Sequence, residues 1–136
     1  MSEAYRVSIT TDADVVTARQ RARSMGGELG FTSTDLTLLA TAISEVARNT
    51  LIYGGGGQAD IEPVANDRRK GVRVVFTDTG PGIADLDLAL TDGYTSGTGM
   101  GLGLSGARRL VDEFELQTAP GEGTTVRLVK WGRSGG

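Results

Sequence analysis

Glycine decides where regular structure can run in this chain. Of its 21 glycines, four stand consecutively at 54–57, two more are Gly80 and Gly82, and Gly93, Gly97, Gly99, Gly101, Gly103 and Gly106 crowd one later stretch. A glycine inside a helix or strand costs roughly 0.5–1 kcal/mol relative to alanine, so such clusters mark turns, or backbone that comes close to a ligand. The stretches between them must supply the whole core. With 136 residues there is enough for one domain and too little for two. Residues 1–132 read as that domain and 133–136 as a disordered tail.

Between the clusters the pattern alternates between strand and helix. Residues 4–9 are strand-like, and the polar run 10–14 suits the start of a helix that should end near Gly26 and Gly27. Thr32 with Asp35 resembles a capping box for a longer second helix. Its Leu36, Leu39, Ala40, Ile43, Val46, Ala47, Thr50 and Leu51 recur at three- and four-residue spacing, forming one buried stripe that Gly54 terminates. Residues 58–65 and 72–77 read as strands, with Pro63 implying an edge or an irregularity. Residues 85–90 suggest a short helix and 93–103 a mobile loop. Residues 104–114 read as a helix with Ala107, Leu110, Val111 and Phe114 on one side, and 115–119 with 124–131 as a hairpin around Gly121-Glu122-Gly123.

Composition removes several functional classes. The net charge is −3 with acids and bases interspersed, so no broad basic surface is offered to nucleic acid or to an anionic membrane. There is no apolar run of the roughly 18–20 residues that a membrane span needs, and the opening residues lack a signal-peptide core. A cytoplasmic location is expected. The chain has no cysteine, which excludes disulfides and thiolate metal sites, and no histidine, which excludes His-based triads and phosphohistidine. Acid–base chemistry must rest on Asp, Glu, Lys or Tyr.

Three constellations remain. Glu45 and Asn49 lie four apart on the second helix, on one face and nearly opposite the apolar stripe. They are either a solvated helix face or a general base beside a ligand for a hard divalent cation. Asp78-Thr79-Gly80-Pro81-Gly82-Ile83 leaves the end of an apolar strand, where a sheet-anchored carboxylate can accept from an exocyclic amine or merely shape a turn. Gly97-Thr98-Gly99-Met100-Gly101-Leu102-Gly103-Leu104 precedes a helix, an arrangement whose backbone N–H groups suit phosphates. It contains G-x-G-x-x-G, but the dinucleotide fingerprint must follow a strand directly and here a long loop precedes it. Neither the P-loop pattern nor the loops of eukaryotic-type protein kinases are present.

Taken in order, Glu45-x-x-x-Asn49, Asp78-x-Gly80-x-Gly82, Gly99-x-Gly101-x-Gly103 and Gly123-Thr124-Thr125 resemble the four ATP-site boxes of the gyrase, heat-shock-chaperone, histidine-kinase and mismatch-repair ATPase superfamily. The likeness spans nearly the whole chain. Within the superfamily, Ile43-Ser44-Glu45-Val46-Ala47-Arg48-Asn49, the 54–57 turn and the run from Gly93 to Gly103 look most like the RsbT-type switch serine/threonine kinases. The resemblance implies an α/β two-layer sandwich, with a mixed, mainly antiparallel sheet, helices on one face and a glycine-rich lid over ATP and Mg2+. By the same resemblance Glu45 is the base that orients or deprotonates a substrate serine, Asn49 the magnesium ligand and Asp78 the acceptor of the adenine amine. Gly80, Gly82 and Ile83 line the turn beneath the nucleotide. Thr98, Gly99, Met100, Gly101, Leu102 and Gly103 form the lid, and Thr125 or Thr124, with Thr125 preferred, supplies a hydroxyl near adenine. Arg108 and Arg109 read as helix-surface residues.

The resemblance also implies partners: a small anti-sigma-antagonist-like scaffold protein as substrate, a regulatory phosphatase activated by partner switching, and a large stress-signalling assembly. Two other readings stand beside it, an anti-sigma kinase that sequesters an alternative sigma factor and a non-catalytic ATP-gated interaction module.

Overall fold

The computed structural model describes residues 4–80 and 103–132. In chain order these form β1 (Tyr5–Ile9), α1 (Asp12–Glu28), α2 (Ser33–Ile52), β2 (Gly57–Ala65), β3 (Lys70–Asp78), α3 (Gly103–Leu110), β4 (Glu113–Thr118) and β5 (Thr124–Trp131). The strands make a five-stranded sheet in the order β1-β2-β3-β5-β4. The sheet expected to be mainly antiparallel is antiparallel at every described pairing.

Strand alternation gives this sheet two unlike faces. One cross-strand row, Val7, Ala59, Phe76, Val126 and Leu116, is apolar, and so is its neighbour through Ile61, Val74, Leu128 and Phe114. These residues are buried or packed against the core beneath α1 and α2. The intervening row, Arg6, Asp60, Val75, Arg127 and Glu115, belongs to the other face. There Arg6 pairs with Asp60, Arg73 with Glu62 and Arg127 with Glu115 across strands. The described helices therefore cover one face, the two-layer arrangement anticipated, with α3 packed on α2.

Pro63 lies two residues beyond Ile61, where the described pairing of β1 with β2 ends, so the expected edge is a local one. The first helix ends where expected, and two later boundaries depart from the sequence reading. Helix α1 runs through Gly26 and Gly27 to Glu28. Gly26 is there for packing: a Cβ on it would lie 2.9 Å from Leu36 Cδ2 and 3.0 Å from Phe31 Cδ2. Helix α3 stops at Leu110, and Phe114 belongs to β4. Phe114 suits a helical stripe and a strand equally, but the Asp112 N–H donates to the Val129 carbonyl and draws the chain into the β5 ladder. At α2, Thr32 accepts from the Asp35 N–H as half of the anticipated box, while the Asp35 carboxylate turns inward. The expected helix at 85–90 and loop at 93–103 lie outside the described residues, apart from Gly103, and so does the tail. No described helix is long and apolar enough to cross a membrane.

A full capping box opens α1 instead. Thr11 accepts from the Asp14 N–H, and Asp14 Oδ2 accepts from the Thr10 N–H and hydroxyl and the Thr11 N–H at 2.9–3.0 Å. The Thr10 backbone N–H first, then its hydroxyl, hold this carboxyl below its ordinary value of 3.8. A carboxyl depressed by folding stabilises the folded state above its unfolded value, and that contribution vanishes as acid titrates through the folded one. The protection factors of the amides in the first turn of α1, taken relative to the intrinsic exchange rate at each pH, should thus fall below about pH 4. In Asp14→Ala the same amides should be less protected already at neutral pH, and equal protection of the two proteins there would remove the role.

Candidate functional site

The second helix brings the first two candidates to the site. Leu39, Ala40, Ile43, Val46, Ala47 and Thr50 are buried, as their spacing predicted, so the helix is fixed in rotation about its own axis. Glu45 and Asn49 lie one turn apart on it. The Glu45 side chain is 21% exposed and Asn49 is half-buried, so this face is not fully solvated. Arg48 Nη1 stands 3.4 Å from Glu45 Oε1.

The end of α2 then meets the end of β3. The Asn49 carbonyl accepts from the N–H groups of Tyr53 (3.0 Å) and Gly54 (3.3 Å), closing the helix. Gly54 abuts Asp78, the last residue of β3, which is 7% exposed. Asp78 Oδ1 accepts from the Gly80 N–H at 3.0 Å, so the carboxylate shapes the departing turn. Gly80 in turn rests on Gly54, since a Cβ on it would lie 2.7 Å from the Gly54 carbonyl oxygen. Asn49, Asp78 and Gly80, distant in sequence, are thereby joined through one glycine.

The hairpin closes the far side. Asp78 pairs in register with Thr124, whose hydroxyl is 3.0 Å from that of Thr118. Gly123 adopts φ +80°, and a Cβ there would run into the Asp78 carbonyl oxygen and lie 3.0 Å from Thr79 Cα. It satisfies both a positive φ and a close backbone approach. Thr125 pairs with Thr77 and Gln117, one step along the strand. It therefore projects to the sheet face opposite Asp78, whereas Thr124 shares the Asp78 face.

Gly103 opens α3, whose Leu104, Ser105, Gly106 and Ala107 are buried, whereas Arg108 and Arg109 are exposed as anticipated. Gly82, Ile83, Thr98, Gly99, Met100, Gly101 and Leu102 lie outside the described residues. Gly54 and Thr118 were missed as site residues. A helix-ending glycine announces a turn, and only tertiary packing reveals what the turn touches.

Among the described residues no three carboxylate or imidazole donors cluster, so these residues by themselves form no cage for a hard cation. A single amide oxygen at Asn49, with Glu45 one turn away, fits a magnesium ion that takes its other ligands from phosphates and water.

Residues 34–132 match the family model described as histidine kinase-, DNA gyrase B-, and HSP90-like ATPase. The chain is 44% identical over 131 residues to serine/threonine-protein kinase RsbT of Bacillus subtilis (strain 168), covering 96% of this chain and 98% of that one. It is 27% identical over 118 residues to the anti-sigma F factor of Thermoanaerobacter sp. (strain X514), covering 84% and 82%. Its fold matches the crystal structure of the RsbU and RsbW domains of a Mycobacterium tuberculosis protein with a TM-score of 0.66 at 23% identity. That match covers 97% of this chain and 33% of the other.

Proposed function

The chain belongs to the histidine kinase-, DNA gyrase B- and HSP90-like ATPases and, within them, to the RsbT-type serine/threonine-protein kinases, and from that premise we propose that it transfers the γ-phosphoryl group of ATP to a serine on a small anti-sigma-antagonist-like scaffold protein. The observation that supports this most directly is the junction of Gly54 with Asp78, which sets the Asn49 end of α2 against a buried carboxylate at a strand terminus.

In this reading Asp78 accepts a hydrogen bond from the adenine amine, and Gly80, Gly82 and Ile83 form the turn beneath the base. Thr124 adds its hydroxyl beside Asp78. Residues 98–103 cover the phosphates with backbone N–H groups. Asn49 holds Mg2+, which when bound offsets charge on the terminal phosphates. Glu45 takes the proton from the substrate hydroxyl as its oxygen bonds to the γ-phosphorus and the bond to ADP breaks. Positioning supplies most of the rate, because phosphoryl transfer needs little covalent help from the protein. Release of the phosphorylated scaffold then frees the kinase to activate a cytoplasmic phosphatase in a stress-signalling assembly.

The test is to incubate the protein with Mg-ATP and candidate antagonist proteins and weigh the products intact. Gain of one phosphoryl group on a serine is expected, and a set of antagonists that all stay unmodified while ATP binds would overturn the activity. A second reading, sequestration of a sigma factor, draws on the likeness to anti-sigma F factors, and stable capture of a purified sigma factor would favour it.

Asp78 makes a separate prediction. Hydrogen bonds to charged groups contribute about 1.5–3 kcal/mol, so Asp78→Asn should weaken ATP about 10- to 100-fold. Purine riboside triphosphate, which lacks the amine, should be weakened far less. Equal losses in calorimetric titration would remove Asp78 from base recognition.

A further inference from the structure

Gly54 is the residue beyond the α2 cap Tyr53, and its Cα faces the Asp78 side chain directly. A Cβ on Gly54 would lie 2.5 Å from Asp78 Oδ2 and 2.7 Å from Asp78 Cβ, and its three nearest neighbours would all be atoms of that one side chain. Real Cβ atoms do not come so close to other heavy atoms. Gly54 does not have a positive φ, unlike Gly55 at +73°. Its backbone therefore suits alanine, and the contact alone requires glycine. The carboxylate accepts from the Gly80 N–H at Oδ1, and at Oδ2 it leaves no room for a Cβ on Gly54.

We infer that Gly54 is a specificity-determining positioning residue: its missing side chain sets where the Asp78 carboxylate lies, and so whether the site prefers a purine that carries an exocyclic amine. This rests on the reading of Asp78 as the amine acceptor. Gly54 also donates its N–H to the Asn49 carbonyl, so the adenine acceptor is located from the same helix end that presents the candidate cation ligand. The neighbouring Gly55 provides the control. A Cβ on Gly55 would meet nothing within 4 Å, so Gly55→Ala strains the same turn without touching Asp78.

The experiment compares the affinities of ATP and purine riboside triphosphate for the full chain and its variants. The unaltered protein should prefer ATP about 10- to 100-fold, and Gly54→Ala should reduce that preference to within about threefold. Gly55→Ala should melt at a lower temperature and keep the preference. Gly54→Ala weakening both nucleotides by one factor would overturn the inference, as would loss of preference in Gly55→Ala. Asp78→Asn retaining the full preference would remove the Asp78 assignment itself, and the inference with it. If Gly54→Ala does not fold, Gly54→Ala combined with Asp78→Gly should fold, because the colliding atoms are gone. A double variant no more stable than the single one would overturn the contact as the cause.

Discussion

Replacing Glu45 with alanine should slow phosphoryl transfer to the protein substrate by about 10²–10⁴-fold, the usual contribution of a positioned acid–base group. ATP affinity should change little. The separation of the two effects follows from where the side chain sits. The backbone of α2 is held by Leu39, Ile43, Val46 and Ala47, all buried, so trimming Glu45 leaves Asn49 and Gly54 in place. The ion pair with Arg48 is partly exposed and 3.4 Å long, and such surface pairs contribute about 0–1 kcal/mol, so its loss does not unfold the helix. Glu45→Gln keeps the shape and removes the base, and should lose transfer as severely. Single-turnover transfer measured alongside nucleotide titration checks both. Undiminished transfer in Glu45→Gln would mean that the proton goes elsewhere.

The fold was legible where periodicity is a local property. The three- and four-residue spacing of α2 identified its buried stripe because a helix with one apolar face has few ways to pack. The alternation of β3 likewise put Val72, Val74 and Phe76 on one side. Choices that depend on two distant segments were not legible. Thr124 and Thr125 are adjacent and chemically alike, and only the register of β5 against β3 tells which of them shares the Asp78 face. Phe114 satisfies a helical stripe and a strand equally, and pairing with Leu128 decides it. The resemblance to the ATP-site boxes singled out Glu45, Asn49, Asp78 and Gly80, yet nothing local marked Gly54 as the residue where the last three meet. Nothing in the local pattern of β5 marks Lys130 as buried, since its partner Asp35 lies on α2 and only the tertiary fold brings the two together.

That partnership predicts the largest stability effect. Lys130 lies on the core face of β5, in register with Val72, and its Nζ is 3.6 Å from Asp35 Oδ1 and 3.6 Å from Asp112 Oδ2. The Lys130 and Asp35 side chains are 10% and 5% exposed, whereas Asp112 is 38% exposed. Asp35 occupies the first turn of α2, where a negative charge suits the helix dipole, so the pair pins the start of that helix to the end of the sheet. Lys130→Ala should destabilise the fold by about 3–5 kcal/mol, because it leaves the Asp35 carboxylate buried with that cation gone. A domain of this kind has about 5–15 kcal/mol in total, so the loss is a large share of it. Removing both charges should cost much less. At 3.6 Å the attraction only partly offsets the desolvation of two ions, and Asp35→Leu with Lys130→Met fills the space with apolar atoms. In urea unfolding the single variant should shift the midpoint strongly at unchanged slope, and the double variant should recover most of the shift. If the double variant were as unstable as Lys130→Ala, packing of the lysine stem rather than loss of the cation beside Asp35 would be the cause, and the ion pair would have no special part in holding α2 to the sheet.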